Sequence, residues 1–300
     1  MGRLDDSRQP GRATDDIDRA HLRDPADDSF VISRYLPPDA LQGWIRRYWV
    51  PVWDVPEDPD QPDHSDQPDR PERPKRGRRE QKVLQYPVTL AVVSPVYARF
   101  VGPRRGLSIT VLEGRGWAFG VMLAPAAGTP LLGGPVSGIT DRYVDLATVP
   151  LLGDLPEALR AVMSEDPSDE AAHAVGRRLV EDRVARLGPP DVEDRLVNDV
   201  VRTVEEDGSV LTVTQLCERV GLSERTLQRL TERRLGLTPL WLVRRRRLHE
   251  AADRLRHHEG SLADVAADLG YADQAHFSRD FKTATGMTPG EFARMNAAAD

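Results

Sequence analysis

The chain of 300 residues has one cysteine, Cys217, and aromatics make up only 6% of it. A lone thiol excludes an internal disulfide and any multi-cysteine zinc cluster. No apolar run approaches the ~18 residues that a membrane-spanning helix needs. The opening stretch MGRLDDSRQPGRATDD lacks the apolar core of a secretory signal. A cytoplasmic location is therefore expected, in a compartment that keeps the thiol reduced. A glycine-rich phosphate loop, a metal-ligand spacing and a nucleophile motif are missing too, which counts against an enzyme and against any cofactor or metal site.

The charge that is present is unevenly placed. The net charge of −7 looks wrong for a partner of nucleic acid until it is divided. Residues 208–296 hold 14 Lys+Arg against 11 Asp+Glu, or +3, which leaves 27 against 37, or −10, for the rest. A basic C-terminal module on an acidic half points weakly to a nucleic-acid binder. Residues 1–28 are rich in Asp and Arg and read as a disordered tail. Residues 54–82, largely Pro, Asp and Arg, read as a disordered insert within a β-rich domain over 29–150.

Short β-branched runs supply the strands of that domain: Val83–Val93, Tyr97–Val101, Leu107–Val111 and Trp117–Leu123, with another near Tyr48–Trp53. Trp44, Trp49, Trp53 and Trp117 fit an aromatic core better than a pocket lining. Helical periodicity then marks a connector over 151–207, with one helix through Ala172, Val175, Leu179 and Val184. A second runs through Val192, Leu196, Val197, Val200, Val201 and Val204.

After Gly208 the chain nearly repeats itself. Leu216-Cys217-x-x-x-Gly221 matches Val265-Ala266-x-x-x-Gly270, Leu227-Gln-Arg matches Phe277-Ser-Arg, and Gly236-Leu-Thr-Pro matches Gly286-Met-Thr-Pro. Each copy makes sense as helix, tight turn, helix. Thr212 with Gln215, and Thr288 with Glu291, have capping-box spacing; Ser223 and Asp273 are good N-caps. Thr238-Pro239 and Thr288-Pro289 each start a further helix. Between the copies, Trp241, Leu248, Ala252 and Leu255 share one face of a linker helix of about four turns. Cys217 matches Ala266 in the repeat and so reads as a small core residue. The sequence thus predicts an α+β protein: a β-rich N-terminal sensor-like domain, a helical connector and an all-α C-terminal domain, 208–296, with two helix-turn-helix units.

Two stretches carry a family resemblance: Leu262 to Lys282, LADVAADLGYADQAHFSRDFK, and Gly286 to Phe292, GMTPGEF. With Arg247-Leu248, Ala251-Ala252 and Leu255 in the linker, residues 208–296 resemble the AraC/XylS family of bacterial transcription regulators. Gly114 to Val121, GRGWAFGV, followed by Gly138 to Leu146, is similar to an uncharacterised N-terminal domain of actinobacterial members. The sequence departs from that domain at Leu123-Ala-Pro-Ala-Ala, and from the first helix-turn-helix unit at Thr231.

The resemblance implies that each recognition helix enters a major groove. Arg225, Gln228 and Arg229 would read bases or phosphates in the first unit, and Gln274, Ala275, Ser278 and Arg279 form the corresponding face of the second. Arginine suits guanine and glutamine suits adenine. His276 is expected to pack or to bond the backbone. Of Arg244–Arg247, four consecutive helical residues, only some can face phosphate.

The expected partners are double-stranded DNA, RNA polymerase, a small-molecule effector and a second copy of the chain, with no membrane. The expected location is the nucleoid within the cytoplasm. Two alternatives stay open for the N-terminal half: an interaction or ligand-binding module without switching, or an enzyme domain fused to a DNA-binding module.

Overall fold

A computed structural model describes residues 19–22, 27–55 and 77–297. Its first half is one curled antiparallel sheet of eight strands: β1 (Phe30–Tyr35), β2 (Ile45–Val55), β3 (Arg78–Val83), β4 (Leu90–Val93), β5 (Ala98–Val101), β6 (Ser108–Trp117), β7 (Phe119–Leu123) and β8 (Tyr143–Asp145). The order is β3-β6-β2-β7-β4-β5-β8, with β1 paired to β2 off that path. β6 and β7 are consecutive stretches interrupted at Ala118, and both pair with β2, which makes β2 the spine of the sheet.

Helices follow: α1 (Gly128–Leu132), α2 (Leu155–Val162), α3 (Glu170–Val184), α4 (Val192–Glu206), α5 (Val213–Val220), α6 (Glu224–Leu235), α7 (Pro239–Arg256), α8 (Leu262–Asp268), α9 (Gln274–Thr285) and α10 (Pro289–Ala297). The result is the α+β layout read from the sequence, with the sheet first and the helices last. No helix among the described residues is long and apolar enough to cross a membrane.

The structure corrects several boundaries. In the stretch 54–82, Asp54 and Val55 end β2, and Arg78–Val83 is a strand paired with β6 from Arg78↔Glu113 to Val83↔Ser108. Residues 56–76 lie outside the described residues. The insert therefore ends earlier than composition suggested, because charged side chains are no obstacle on an exposed edge strand. The expected strand Val83–Val93 is two strands broken around Pro87. In the tail, residues 1–18 and 23–26 lie outside the described residues. Ala20 and Leu22 are nearly fully buried, and His21 bridges Val83. Two backbone bonds hold them there, Leu22 N to Lys82 O and Leu84 N to Ala20 O, both 2.8 Å.

One core joins the sheet to the helices. Tyr48, Phe100, Phe119 and Leu123 are fully buried in the same cluster as Val197 and Val201 of α4 and Leu216, Leu227 and Leu242 of the C-terminal region. Trp44 and Trp117 belong to this core rather than to a pocket wall; the Trp44 indole donates to Gly188 O at 2.7 Å. A second core gathers Leu248, Val265, Phe277, Phe281 and Phe292, and Leu22 and Leu84 of the N-terminal half enter it.

Candidate nucleic-acid interface

Each helix of the repeat starts and stops where its caps dictate. Thr212 and Gln215 form a reciprocal capping box on α5, and Gly221 ends that helix in the left-handed region at φ +67°. Ser223 accepts from Thr226 N at the start of α6, and Asp273 from His276 N at the start of α9. A capping box that the sequence reading passed over, Ser261 with Asp264, opens α8. These caps satisfy backbone donors that a helix leaves orphaned, and so fix where each recognition helix points.

On α6, Leu227 and Leu230 are buried, and Arg225 and Arg229 are exposed on one side. Neither arginine has an ion pair among the described residues. Gln228 is half-buried and its amide donates to Glu232 one turn on, which orients the side chain and leaves its carbonyl oxygen and second N–H available. On α9, Phe277 and Phe281 are fully buried, Gln274, Ala275 and Arg279 are exposed, and Ser278 is half-buried. The structure thus brings Arg225, Gln228 and Arg229 together on one helix face, and Gln274, Ser278 and Arg279 on another. His276 is exposed, its ring edge-on to Tyr271 at 5.3 Å between centroids.

The four arginines of α7 divide in a way composition alone does not reveal. Arg244 is exposed and pairs with Asp280 of α9, whose other oxygen accepts from the Tyr271 hydroxyl at 2.9 Å. Burial and the Asp280 charge push the Tyr271 hydroxyl pKa well up. Arg247 donates to Leu211 O and lies over the Tyr271 ring. Arg246 is buried on Gly208 O, Val210 O and Glu250. Arg245 is 3% exposed, and desolvation pushes its pKa down to about 10. It donates to Arg105 O at 2.8 Å and lies over the Trp241 ring. Arg244, Asp280 and Tyr271 staple the linker helix α7 to the second unit, Arg246 and Arg247 tie it to the segment that leads into the first unit, and Arg245 ties it to the Arg105 segment.

The first recognition helix is also held from the N-terminal side. Arg234, near the end of α6, is buried and pairs with Asp194 and Glu193 of α4, and it donates to Ala126 O at 3.1 Å. Ala126 belongs to the segment where the sequence departs from its N-terminal resemblance. Asn198 links that segment back to the sheet, accepting from Ala126 N at 2.9 Å and donating to Gly43 O at 3.0 Å. Thr140 donates to Gly236 O at 3.0 Å, just past the end of α6. Beside this contact lies an open cleft of about 490 Å³, walled by Arg105, Ser137 and Thr140 on one side and Arg229, Glu232 and Arg233 on the other. Sequence reasoning missed this interface; the signal for it was the acidic start of α4, Asp191-Val-Glu-Asp, facing a run of arginines in α6.

Two family models match the chain. One, described as a helix-turn-helix domain, covers residues 216–295; the other, a domain of unknown function, DUF6597, covers residues 33–145. Among similar curated proteins, the HTH-type transcriptional activator RhaS of Escherichia fergusonii is 33% identical over 99 residues, which is 33% of this chain and 36% of RhaS. The activator RhaR of Escherichia coli K12 is 26% identical over 113 residues, 37% of this chain and 40% of RhaR. The chain therefore spans well under half the length of these relatives. A solved structure, the C-terminal domain of the response regulator AraT from Geobacillus stearothermophilus, is 26% identical over 35% of this chain and 88% of that one, with a TM-score of 0.32.

Proposed function

We propose that this chain is an AraC/XylS-type, sequence-specific transcription regulator whose two recognition helices enter successive major grooves, a reading that its helix-turn-helix match and its likeness to the activators RhaS and RhaR support. One observation carries the reading. Two capped helices present matching polar faces, centred on Arg229 and Arg279, and α7 is tied to both units, by Arg244 to Asp280 of the second and by Arg246 and Arg247 to the segment 208–211 that opens the first. A rigid spacing suits grooves about one helical turn, ~34 Å, apart on one side of the duplex. Arg225, Gln228 and Arg229 read one segment; Gln274, Ser278 and Arg279 read the other.

The relatives are transcriptional activators, which favours a regulator over an enzyme and makes RNA polymerase a partner to test. Control of α6 through the N-terminal domain is supported by the Arg234 and Asn198 contacts, which link the segments flanking β2 and β7 to α6, and a small molecule is the effector to test. A location on the nucleoid accords with the same reading, and a second copy of the chain is a partner to test on the DNA.

Footprinting and binding titrations test it. Arg229→Ala and Arg279→Ala are each expected to weaken specific binding by about 1–3 kcal/mol if the arginine reads a base bidentately. Each should relax preference only within its own protected segment. Substitutions that leave affinity, specificity and salt dependence all unchanged would remove these helices from the groove.

A further inference from the structure

We infer that the N-terminal domain supplies part of the DNA interface: Arg105, on the far wall of the cleft beside α6, grips a backbone phosphate that flanks the bases read by Arg229. The inference rests on the reading of α6 as a recognition helix. A helix lying in a major groove about 12 Å wide has a phosphate backbone along each flank. On one flank of α6 stands the wall of Arg105, Ser137 and Thr140, facing Arg229 and Arg233 across a cleft of about 490 Å³.

The Arg105 segment is built rather than incidental. Its carbonyl accepts from the Trp241 indole at 3.1 Å and from buried Arg245 at 2.8 Å, so the first turns of α7 fix the main chain. Asp141, in the left-handed region at φ +61°, accepts from both Arg105 N and Arg105 Nε, at 2.8 and 2.7 Å. That pair takes Nε alone and leaves both terminal nitrogens of the guanidinium for an oxyanion, the fork that arginine uses on phosphate. Arg233 is paired with Glu193, and Glu232 is occupied by Gln228. Arg229 has no ion pair among the described residues and stays free for a base edge, which leaves the flanking phosphate to Arg105. Residues 1–207, with 27 Lys+Arg against 36 Asp+Glu, carry −9, so a local cation at the surface that meets DNA offsets a mean field that repels the duplex.

The test uses the full chain and Arg105→Gln. Among the described residues the exposed side chain bonds only Asp141, and the carbonyl that holds α7 is retained, so the thermal midpoint should stay unchanged. Log affinity against log salt should lose about one unit of slope, and binding should weaken about fivefold at ~0.15 M salt, equally on specific and random duplexes. Arg105→Lys should restore most of the slope, because it keeps the charge. An unchanged slope, or tighter binding, overturns the inference. So does saturable binding of inorganic phosphate that Arg105→Gln abolishes while DNA affinity is untouched, since the cleft then serves a free anion. Loss of sequence preference in Arg229→Ala, measured in parallel, shows that the recognition-helix reading stands even when the Arg105 result is negative. A folded chain that binds no duplex overturns both.

Discussion

Arg234 and Asp194 are both under a tenth exposed and pair with each other inside the molecule, whereas Glu193 is partly in solvent. The ion pair that matters for stability is therefore the one with Asp194. Two charges taken out of water gain little net energy as a pair, but a buried partner left alone costs about 3–5 kcal/mol. Arg234→Met keeps the apolar stem and strands the Asp194 carboxylate, so a loss of that size is expected in denaturant unfolding. Adding Asp194→Asn should return part of it, because an amide carries no charge to desolvate. If Arg234→Met costs under 1 kcal/mol, the contact between α6 and α4 is not the lock drawn above. Residues at the presumed reading face behave differently. Arg225, Arg229 and Arg279 are exposed and add nothing to packing, which leaves them free for a partner.

Elements of the repeat were legible because short-range chemistry determines them. Thr212 with Gln215, Ser223, Thr238-Pro239 and Asp273 each cap the helix that their spacing indicated. Strand β3 was not legible, because Arg78-Arg79-Glu80 has no apolar alternation; its pairing with β6 comes from main-chain bonds and an edge position. The break at Leu84–Thr89 was hidden for another reason: Leu84 leaves the sheet to fill the second helical core, a contact across more than 160 residues. Two turn glycines of the first unit show how local and long-range causes separate. Gly221 and Gly236 both sit at φ +67°. A Cβ at Gly221 meets nothing within 4 Å, but at Gly236 it would fall 2.1 Å from Thr140 Oγ1 and 3.2 Å from Ser137 Cα. Gly221→Ala should cost about 1–2 kcal/mol, the left-handed penalty alone. Gly236→Ala should cost clearly more, because it also wedges the N-terminal wall away from α6. Equal losses in thermal unfolding would mean that the Thr140 contact yields freely.

At the scale of the whole molecule, the region that sequence marks as a separate DNA-binding domain does not own its cores. Leu216, Leu227, Leu230, Leu235 and Leu242 share one cluster with Tyr48, Phe119 and Val201, and the second core borrows Leu22 and Leu84. A repeat with complete caps reads as self-sufficient, and an excised fragment 208–296 binding DNA by itself is the natural expectation from sequence. The structure argues otherwise. Cutting at 208 removes α4, α1 and the segments around Ala126 and Ser137 that pack on α6, and leaves Arg234 without Asp194. Buried apolar surface is worth roughly 25 cal/mol per Å², so uncovering several leucine side chains costs several kcal/mol, a large share of a domain's stability. The two units should suffer unequally. Phe277, Phe281 and Phe292 pack on one another with centroids 5.6–5.8 Å apart, all inside the fragment, so the second unit keeps most of its core. Native-state hydrogen exchange on the fragment should then show protected amides in α9 and α10 and fast exchange in α5 and α6. In the full chain, both units should be protected together. A fragment with equal protection in both units, and DNA affinity matching the full chain, would show that the N-terminal half rests on the first unit without supporting it.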